Sequence, residues 1–117
     1  MEPSEVIQFL QQARNFAQQE QYIPAINFFM QVLEEQDTIE LREELIELLQ
    51  KVNNVRACAE QCVLIGYRLQ SKDDLEGALK NFARALKFNP QEYEALEKLA
   101  EICTETPDIP KKYLVMN

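Results

Sequence analysis

Two residue types that enzymes often depend on are scarce in this chain: it has no histidine and only two glycines among its 117 residues. Without histidine it lacks the side chain that most often acts as a general base near neutral pH and that helps a cysteine to ionise. Two glycines are too few for a glycine-rich loop that cradles phosphates. The abundant carboxylates are predicted to lie on solvated helix faces. We therefore expect no catalytic site and no enzyme activity.

Long apolar runs are absent too. No stretch approaches the about 18 apolar residues of a membrane-spanning helix, and the start of the chain has neither the basic nor the apolar part of a signal peptide. We expect a soluble protein of the cytoplasm, with the nucleus as the alternative compartment.

Cysteine is present only three times, at Cys58, Cys62 and Cys103. An odd number in a helical chain does not suit a disulfide framework. Cys58 and Cys62 stand one helical turn apart, as two metal ligands would, but the chain offers neither a histidine nor a second cysteine pair. We expect buried thiols that pack as small hydrophobes, and no metal or cofactor.

Positively charged residues are outnumbered: the chain has 12 Lys and Arg and 20 Asp and Glu, which gives a net charge of -8 and a pI near 4.6. A nucleic-acid-binding protein needs clustered Lys and Arg to neutralise phosphates. The acidic balance sets up a field that repels a phosphate backbone instead. We expect no binding of DNA or RNA.

The residues that are plentiful favour helices. Hydrophobic residues make up 46% of the chain, and Glu, Gln, Leu, Ala and Lys are all good helix formers. Apolar spacings of three and four residues predict an all-α protein with about six helices and a C-terminal tail. The predicted helices cover residues 3–19, 23–35, about 37–53, 55–70, a fifth from 71 and a sixth from 90.

Local signals predict where several of these helices begin or end. Asp37, followed three residues later by Glu40, predicts a capping box at the third helix, and Ser71 is the predicted cap of the fifth. Pro90 is predicted to open the sixth helix. Small or apolar residues also recur at steps of three and four over residues 41–69, a pattern that one long helix would share. Asn53 and its neighbour favour two helices.

The spacing of small and large residues is most distinctive between residues 59 and 92. Gly66, Ala78, Phe82, Ala85 and Pro90 stand in an order that resembles the tetratricopeptide repeat, a pair of antiparallel helices of roughly 34 residues. In that resemblance Gly66 and Ala78 are the close-contact points between the two helices. The copy departs from the family pattern in having a cysteine and a leucine where an aromatic residue and a tyrosine are usual.

A second, weaker copy spans residues 6–39. It has Ala13 at the position of the close-contact glycine, followed by Phe16, Ala25 and Phe29, but Val32 replaces the last alanine and no proline ends it. The 19 residues between the copies suffice for about one helix, whereas a full repeat needs two. We therefore expect one irregular junction between residues 40 and 58.

The resemblance implies a right-handed stack of antiparallel helical hairpins, an α-solenoid, in which the first helix of each pair lines a groove. We expect one domain over residues 1–105 and a proline-containing tail over residues 106–117. Carried onto this chain, the candidate partner-binding residues lie on the first, fourth and sixth helices. They are Leu10, Arg14, Val63, Tyr67, Gln70, Glu94, Glu97 and Glu101.

Three of these candidates, Glu94, Glu97 and Glu101, are spaced to form one stripe along a helix, which would attract a basic partner. A merely solvated helix face is the alternative.

Tyr67 combines apolar area with a polar tip, as binding hot spots do, although a core-packed tyrosine is the alternative. Some members of the family grip acidic chaperone tails with a basic clamp, and Leu10 and Arg14 stand where its lysine and asparagine would be. The clamp is therefore absent.

These features predict a non-catalytic adaptor that binds a basic or apolar peptide or helix of another protein. The alternatives are a structural subunit or fragment of a larger helical-repeat assembly, and a small acidic chaperone. Self-association is a further alternative, and a specific dimer would have to bury on the order of 1,000 Å².

Overall fold

The computed structural model describes residues 1–106, which form six α-helices and no strand. The all-α prediction is therefore confirmed for this part of the chain. Predictions about the tail beyond Thr106 lie outside the described residues. No helix among residues 1–106 is both long enough and apolar enough to cross a bilayer. The helices are α1 (Pro3–Gln18), α2 (Tyr22–Glu35), α3 (Ile39–Lys51), α4 (Val55–Ser71), α5 (Leu75–Phe88) and α6 (Tyr93–Glu105).

These helices group into two compact units, one from Met1 to Asn54 and one from Val55 onward. In each unit the middle helix packs against both of its neighbours, α2 against α1 and α3, and α5 against α4 and α6. The single domain expected for residues 1–105 stays a prediction. Because α3 ends at Lys51 and α4 begins at Val55, the apolar stripe over residues 41–69 belongs to two helices, as the asparagines indicated.

The two units repeat the same internal plan. The first residues of α2 and α5, Tyr22 and Leu75, are 53 positions apart, and so are the last residues of these helices. Core residues keep the same separation, which is also the separation of the two predicted repeat copies. The corresponding buried pairs are Ala13 with Gly66, Ala25 with Ala78, Phe29 with Phe82, and Val32 with Ala85.

The third helix of each unit follows the same plan with one extra residue, so that positions in α3 and α6 correspond at a separation of 54. Leu45 and Leu99, for example, are both fully or almost fully buried. The other buried pairs are Leu41 with Ala95, Leu48 with Ile102, and Leu49 with Cys103. The residues between the two predicted copies, 40–58, therefore form most of α3, the loop after it and the start of α4, and the described residues repeat as a three-helix unit.

Two helix starts differ from the sequence prediction because neighbouring polar residues compete for the same role. At α3 the cap is Thr38, whose Oγ1 accepts a hydrogen bond from the backbone N–H of Leu41 at 3.2 Å. The Asp37 carboxylate is instead held by the Arg42 guanidinium in two bonds of 2.8 and 2.9 Å. The predicted capping box of Asp37 and Glu40 is therefore wrong.

At α5 the cap is Asp74, whose Oδ1 accepts from the N–H of Gly77 at 2.9 Å. Ser71, predicted as that cap, is the last residue of α4, and its hydroxyl donates to the carbonyl of Arg68 at 2.8 Å. The prediction was wrong because α4 continues one residue further and then turns tightly.

The sixth helix also begins later than predicted. Pro90 lies in a turn that the backbone N–H of Glu92 closes by donating to the carbonyl of Asn89 at 3.0 Å. Glu92 is the N-cap residue, and α6 itself begins at Tyr93. Pro90 therefore precedes α6 by three residues instead of opening it.

Three helices end in the same left-handed turn. Glu20, Asn53 and Asp73 have φ values of 61°, 58° and 63°, a region that non-glycine residues rarely adopt. After each of them, the next N–H bonds to a carbonyl five residues earlier, as in the Schellman ending of a helix. These bonds, all 2.9 Å long, are Gln21 to Phe16, Asn54 to Leu49, and Asp74 to Leu69.

The close contact between α4 and α5 lies at Gly66. A Cβ atom on Gly66 would stand 2.5 to 2.9 Å from three carbons of the Phe82 ring, which is itself fully buried. The missing side chain therefore lets α4 approach α5 closely enough to cover this ring. Ala78, the other predicted contact point, is fully buried in α5.

We predict that Gly66→Ala destabilises the protein by about 1–2 kcal/mol, because the overlap with Phe82 outweighs the gain in helix propensity. Urea denaturation followed by circular dichroism measures the free energy of unfolding. The matched control is Ala13→Gly, which changes the corresponding position in the other direction and loses about 1 kcal/mol through helix propensity. An unchanged or raised stability of Gly66→Ala would show that α5 can yield at this contact.

We also predict that Glu20→Gly raises the free energy of unfolding by about 0.5–1 kcal/mol, because glycine adopts the left-handed turn without the steric cost that glutamate meets. Gln19→Gly is the control, since Gln19 has a φ of -86° and gains nothing from glycine. Thermal and urea denaturation of both variants test this difference, and equal destabilisation by the two changes would contradict it.

Candidate functional site

The eight predicted binding residues fall in both units. Val63, Tyr67 and Gln70 lie on α4, and the three glutamates of the predicted stripe lie on α6. Leu10 and Arg14 lie on α1 in the other unit. The glutamates and Arg14 are exposed, and Leu10, Tyr67 and Gln70 are half-buried. Val63 is only 4% exposed and belongs to the core, so it offers a partner almost no surface.

Tyr67 is the best-defined of these side chains. Its ring packs edge-on against Phe82, with the ring centroids 5.7 Å apart. Its hydroxyl donates a hydrogen bond to the carboxylate of Glu94 on α6, and the Lys98 Nζ lies 5.8 Å from the centre of the ring. The sequence left open whether Tyr67 faces a groove or the core. In the structure the ring packs against Phe82, and the side chain as a whole is half-buried.

The position of Tyr67 follows from its neighbours in the sequence. Gly66, the preceding residue, lets α4 approach the Phe82 ring closely, and the Tyr67 ring packs against that same ring. The α6 helix supplies Glu94 and, one turn later, Lys98. The structure thus brings together Tyr67 and Glu94, which are 27 residues apart in the chain.

Carboxylates surround the phenol. Burial raises the pKa of Tyr67 to about 12, assisted by the hydrogen bond to Glu94 and by the negative charges of Glu94, Glu97 and Glu101. Lys98 forms an ion pair with Glu101, with 3.2 Å between Nζ and Oε2. An exposed pair of this kind contributes at most about 1 kcal/mol. The Tyr67 surface, which we define as Tyr67, Glu94, Glu97 and Glu101, is therefore acidic around an aromatic centre.

Arg14 makes a different contact in the other unit. Its Nε and Nη2 donate to the two carboxylate oxygens of Glu44 on α3, at 3.1 and 2.7 Å. The forked geometry is the stronger kind of Arg–carboxylate pair, but both side chains are substantially exposed, at 51% and 37%, so it contributes about 1 kcal/mol at most. Sequence reasoning missed Glu44, because this residue is 30 positions from Arg14 on another helix and no local spacing joins the two.

A cleft of about 250 Å³ lies beside this ion pair. All three helices of the unit contribute to it: Arg14 and Ala17 come from α1, Phe29 from α2, and Glu44 and Leu48 from α3. Phe29 is only 1% exposed in total, so the cleft uncovers almost none of this core ring. We call it the α1–α3 cleft.

The cysteines take no part in these sites. Cys58, Cys62 and Cys103 are all buried thiols outside any disulfide bond, as expected from the sequence. Burial raises the pKa of the Cys58 thiol, and the charge of Arg84 only partly opposes this. A raised pKa disfavours the reactive thiolate. Across residues 1–106, no group of three or more His, Cys, Asp or Glu side chains is arranged to hold a metal ion.

The chain matches no model of a known protein family, and a comparison with curated proteins finds no match either. The Tyr67 surface and the α1–α3 cleft each offer apolar area next to hydrogen-bonding or charged side chains, an arrangement that suits binding without chemical change.

We predict that one of the four tyrosines ionises with a pKa of about 12 and that Tyr67→Phe removes this transition. Because the pKa in the fold is raised above the usual value of about 10, the stabilisation from Tyr67 is complete below pH about 10 and is lost between about 10 and 12. Tyrosinate absorbance measured against pH provides the test. Glu94→Gln should move the transition toward lower pH, and four tyrosines that all ionise normally would contradict the prediction.

Proposed function

We propose that the chain is a non-catalytic interaction module of the tetratricopeptide-repeat type that binds a peptide or helix of another protein. The helix pairs α1–α2 and α4–α5 support this proposal, because each buries small residues at the positions where the repeat requires close contact, Ala13 and Ala25 in one and Gly66 and Ala78 in the other. In this proposal the pairs stack as a right-handed solenoid, and α3 and α6 extend the surface of their own units.

The Tyr67 surface is the observation that carries the proposal. The ring is held by Phe82 on one side and by Glu94 at its hydroxyl, so it loses little conformational freedom when a partner covers it. Tyrosine is among the residues that contribute most to protein interfaces because it offers apolar area together with a hydrogen-bonding tip.

Charge indicates the kind of partner. Glu94, Glu97 and Glu101 are exposed along α6, and the chain as a whole carries a net charge of -8. Such a surface speeds association with Lys- and Arg-containing segments and disfavours acidic ones. The proposed partner is therefore a basic segment that also carries apolar residues, and nucleic acid is not a proposed ligand. We propose the cytoplasm as the compartment.

A second candidate, a subunit of a larger helical assembly, is favoured by another surface of α6. Tyr93 is 69% exposed and Leu96 is 48% exposed, and they lie one turn apart. Two large apolar side chains at neighbouring exposed positions suit burial against a helix of another subunit. In this case the partner would cover Tyr93 and Leu96 instead of the Tyr67 surface.

We predict that neutralising the stripe, with Glu94, Glu97 and Glu101 all changed to Gln, weakens binding of the physiological partner about tenfold or more, because up to three charge pairs are lost. The partner is first identified by a pull-down with the intact chain, and its affinity is then measured by calorimetry at low and high salt. The charge-matched control changes exposed acids elsewhere: Glu34→Gln, Asp73→Asn and Glu76→Gln.

The two candidates give different results with the same set of proteins. If the adaptor proposal is right, Tyr67→Ala and the stripe variant lose affinity at a temperature where circular dichroism shows that each variant is still folded. If binding survives both changes but is lost in Leu96→Glu, the partner covers the other surface of α6, and the assembly-subunit candidate replaces the proposal.

A further inference from the structure

The exposed side of α6 carries two rows of residues next to each other. The apolar row consists of Tyr93, Leu96 and Ala100, which are spaced by three and four residues. The second row is the glutamate stripe. Residues three or four positions apart are neighbours on a helix surface, so Glu97, four after Tyr93 and three before Ala100, adjoins the apolar row. The helix therefore presents apolar area directly beside negative charge.

In the part of the chain that the structure describes, the apolar row is left uncovered. Tyr93 is 69% exposed, Leu96 is 48% exposed, and Ala100 is exposed as well. The contact of α6 with α5 uses other positions, since the buried residues of α6 are Ala95, Leu99, Ile102 and Cys103. Large apolar side chains at neighbouring exposed positions are typical of a surface that another segment covers.

The chain itself contains a segment whose chemistry is complementary to this surface. Residues 111–116 read Lys-Lys-Tyr-Leu-Val-Met, two cations followed by four apolar residues. The cations match the stripe in charge, and the apolar residues match the apolar row. This composition is also the one that we propose for the partner, a basic segment that carries apolar residues.

The segment is attached within reach of this surface. The helix ends at Glu105, and Thr106 has already left helical geometry, with φ of -130° and ψ of 76°, as expected for a residue before a proline. The axial distance from Glu105 back to Tyr93 is about 18 Å. Ten residues, 107–116, can span at most about 33 Å. The chain is therefore long enough to reverse direction and follow α6 back to Tyr93.

We propose that residues 111–116 dock on α6 of the same chain, with the two lysines beside Glu97 and Glu101 and the four apolar residues over the apolar row. The order of the residues fits, because on the way back along α6 the lysines meet Glu101 and Glu97 before the apolar residues reach Leu96 and Tyr93. Opposite charges set the register, and apolar burial supplies the attraction.

Attachment to α6 favours this occupant over others. A tethered segment has an effective concentration of about a millimolar, roughly a thousandfold above that of a second copy at micromolar concentration. A contact too weak to hold a free peptide therefore still forms within the chain. The docked segment occupies the glutamate stripe, so the partner has to displace it. The docking itself needs no partner, and only this competition rests on the proposed function.

A tryptophan at position 113 can report on the docking, because the chain contains no tryptophan of its own. The reporter is the full chain with Tyr113→Trp, and quenching by acrylamide measures how accessible the indole is. Acrylamide is uncharged, so changes in nearby charge do not repel or attract it. A segment at millimolar effective concentration is mostly docked, so the indole should be quenched about half as strongly as N-acetyl-tryptophan amide, or less.

Charge reversal tests the contact from both of its sides. Lys111→Glu with Lys112→Glu changes no residue of the six helices and should raise quenching to that of the free amide. Glu97→Lys with Glu101→Lys should have the same effect, because the lysines then meet like charges. All four changes together restore opposite charges and should restore the protection. Circular dichroism shows that each variant is folded.

Matched controls change similar residues elsewhere. Glu34→Lys with Glu60→Lys reverses two exposed acids on α2 and α4 and should leave quenching unchanged. Leu96→Ser removes the largest aliphatic side chain of the apolar row and should expose the indole. Its control is Leu64→Ser, since Leu64 on α4 is 42% exposed and lies outside the row.

Three results would overturn the docking. The first is an indole in the reporter that is quenched as readily as the free amide. The second is protection that persists when both lysines are changed to glutamate. The third is protection that increases with protein concentration, which would show that a second copy supplies the segment.

The competition is measured once the partner is known. Lys111→Glu with Lys112→Glu should raise the partner's affinity about two- to tenfold, because the fraction of chains with a free stripe rises toward one. Equal affinity of the variant and the parent chain would overturn the competition. The tryptophan test uses no partner, so a failure of the docking is distinguished from a failure of the proposed function, which the stripe variant tests.

Discussion

The packing of the Phe82 ring against a backbone without a side chain at Gly66 is the contact on which the unit from Val55 onward depends. A ring that is fully buried must be covered on all sides, and α4 can cover it only by close approach. The Tyr67 ring packs against the same Phe82 ring, with the ring centroids 5.7 Å apart. The close helix contact and the principal surface side chain therefore share one core ring.

The unit that ends at Asn54 has Ala13 in the place of Gly66 and Phe29 in the place of Phe82, and all four residues are buried. The two units therefore share a core plan and differ in what lies above it: an Arg14–Glu44 ion pair in one, and a tyrosine with a lysine and a carboxylate in the other. Since the exposed contacts contribute little to stability, this part of the molecule is free to differ in binding chemistry.

Helix positions were predictable to within a few residues because they follow from local spacing, which neighbouring helices only reinforce. The N-cap residues were not predictable, because adjacent polar residues compete for the cap position. Thr38 caps α3 because the carboxylate of Asp37 is bound by Arg42. Asp74 caps α5 because Ser71 is still the last residue of α4. The three-helix period was not predicted, because the repeat that the sequence resembles consists of only two helices.

The amino-acid order by itself determined that the described part of the chain is helical and that its cysteines are buried, because periodicity and residue size act over short stretches of chain. The repeat resemblance added Gly66 as a close-contact point, and the structure identified Phe82 as the ring that Gly66 meets. Tertiary structure alone decided that Tyr67 meets Glu94 and that Arg14 meets Glu44, pairs separated by 27 and 30 residues. Tertiary structure likewise buried the Val63 side chain in the core and formed the α1–α3 cleft, which Phe29 lines in part. Such contacts depend on the angle and distance at which one helix packs on the next, and no local pattern encodes either quantity.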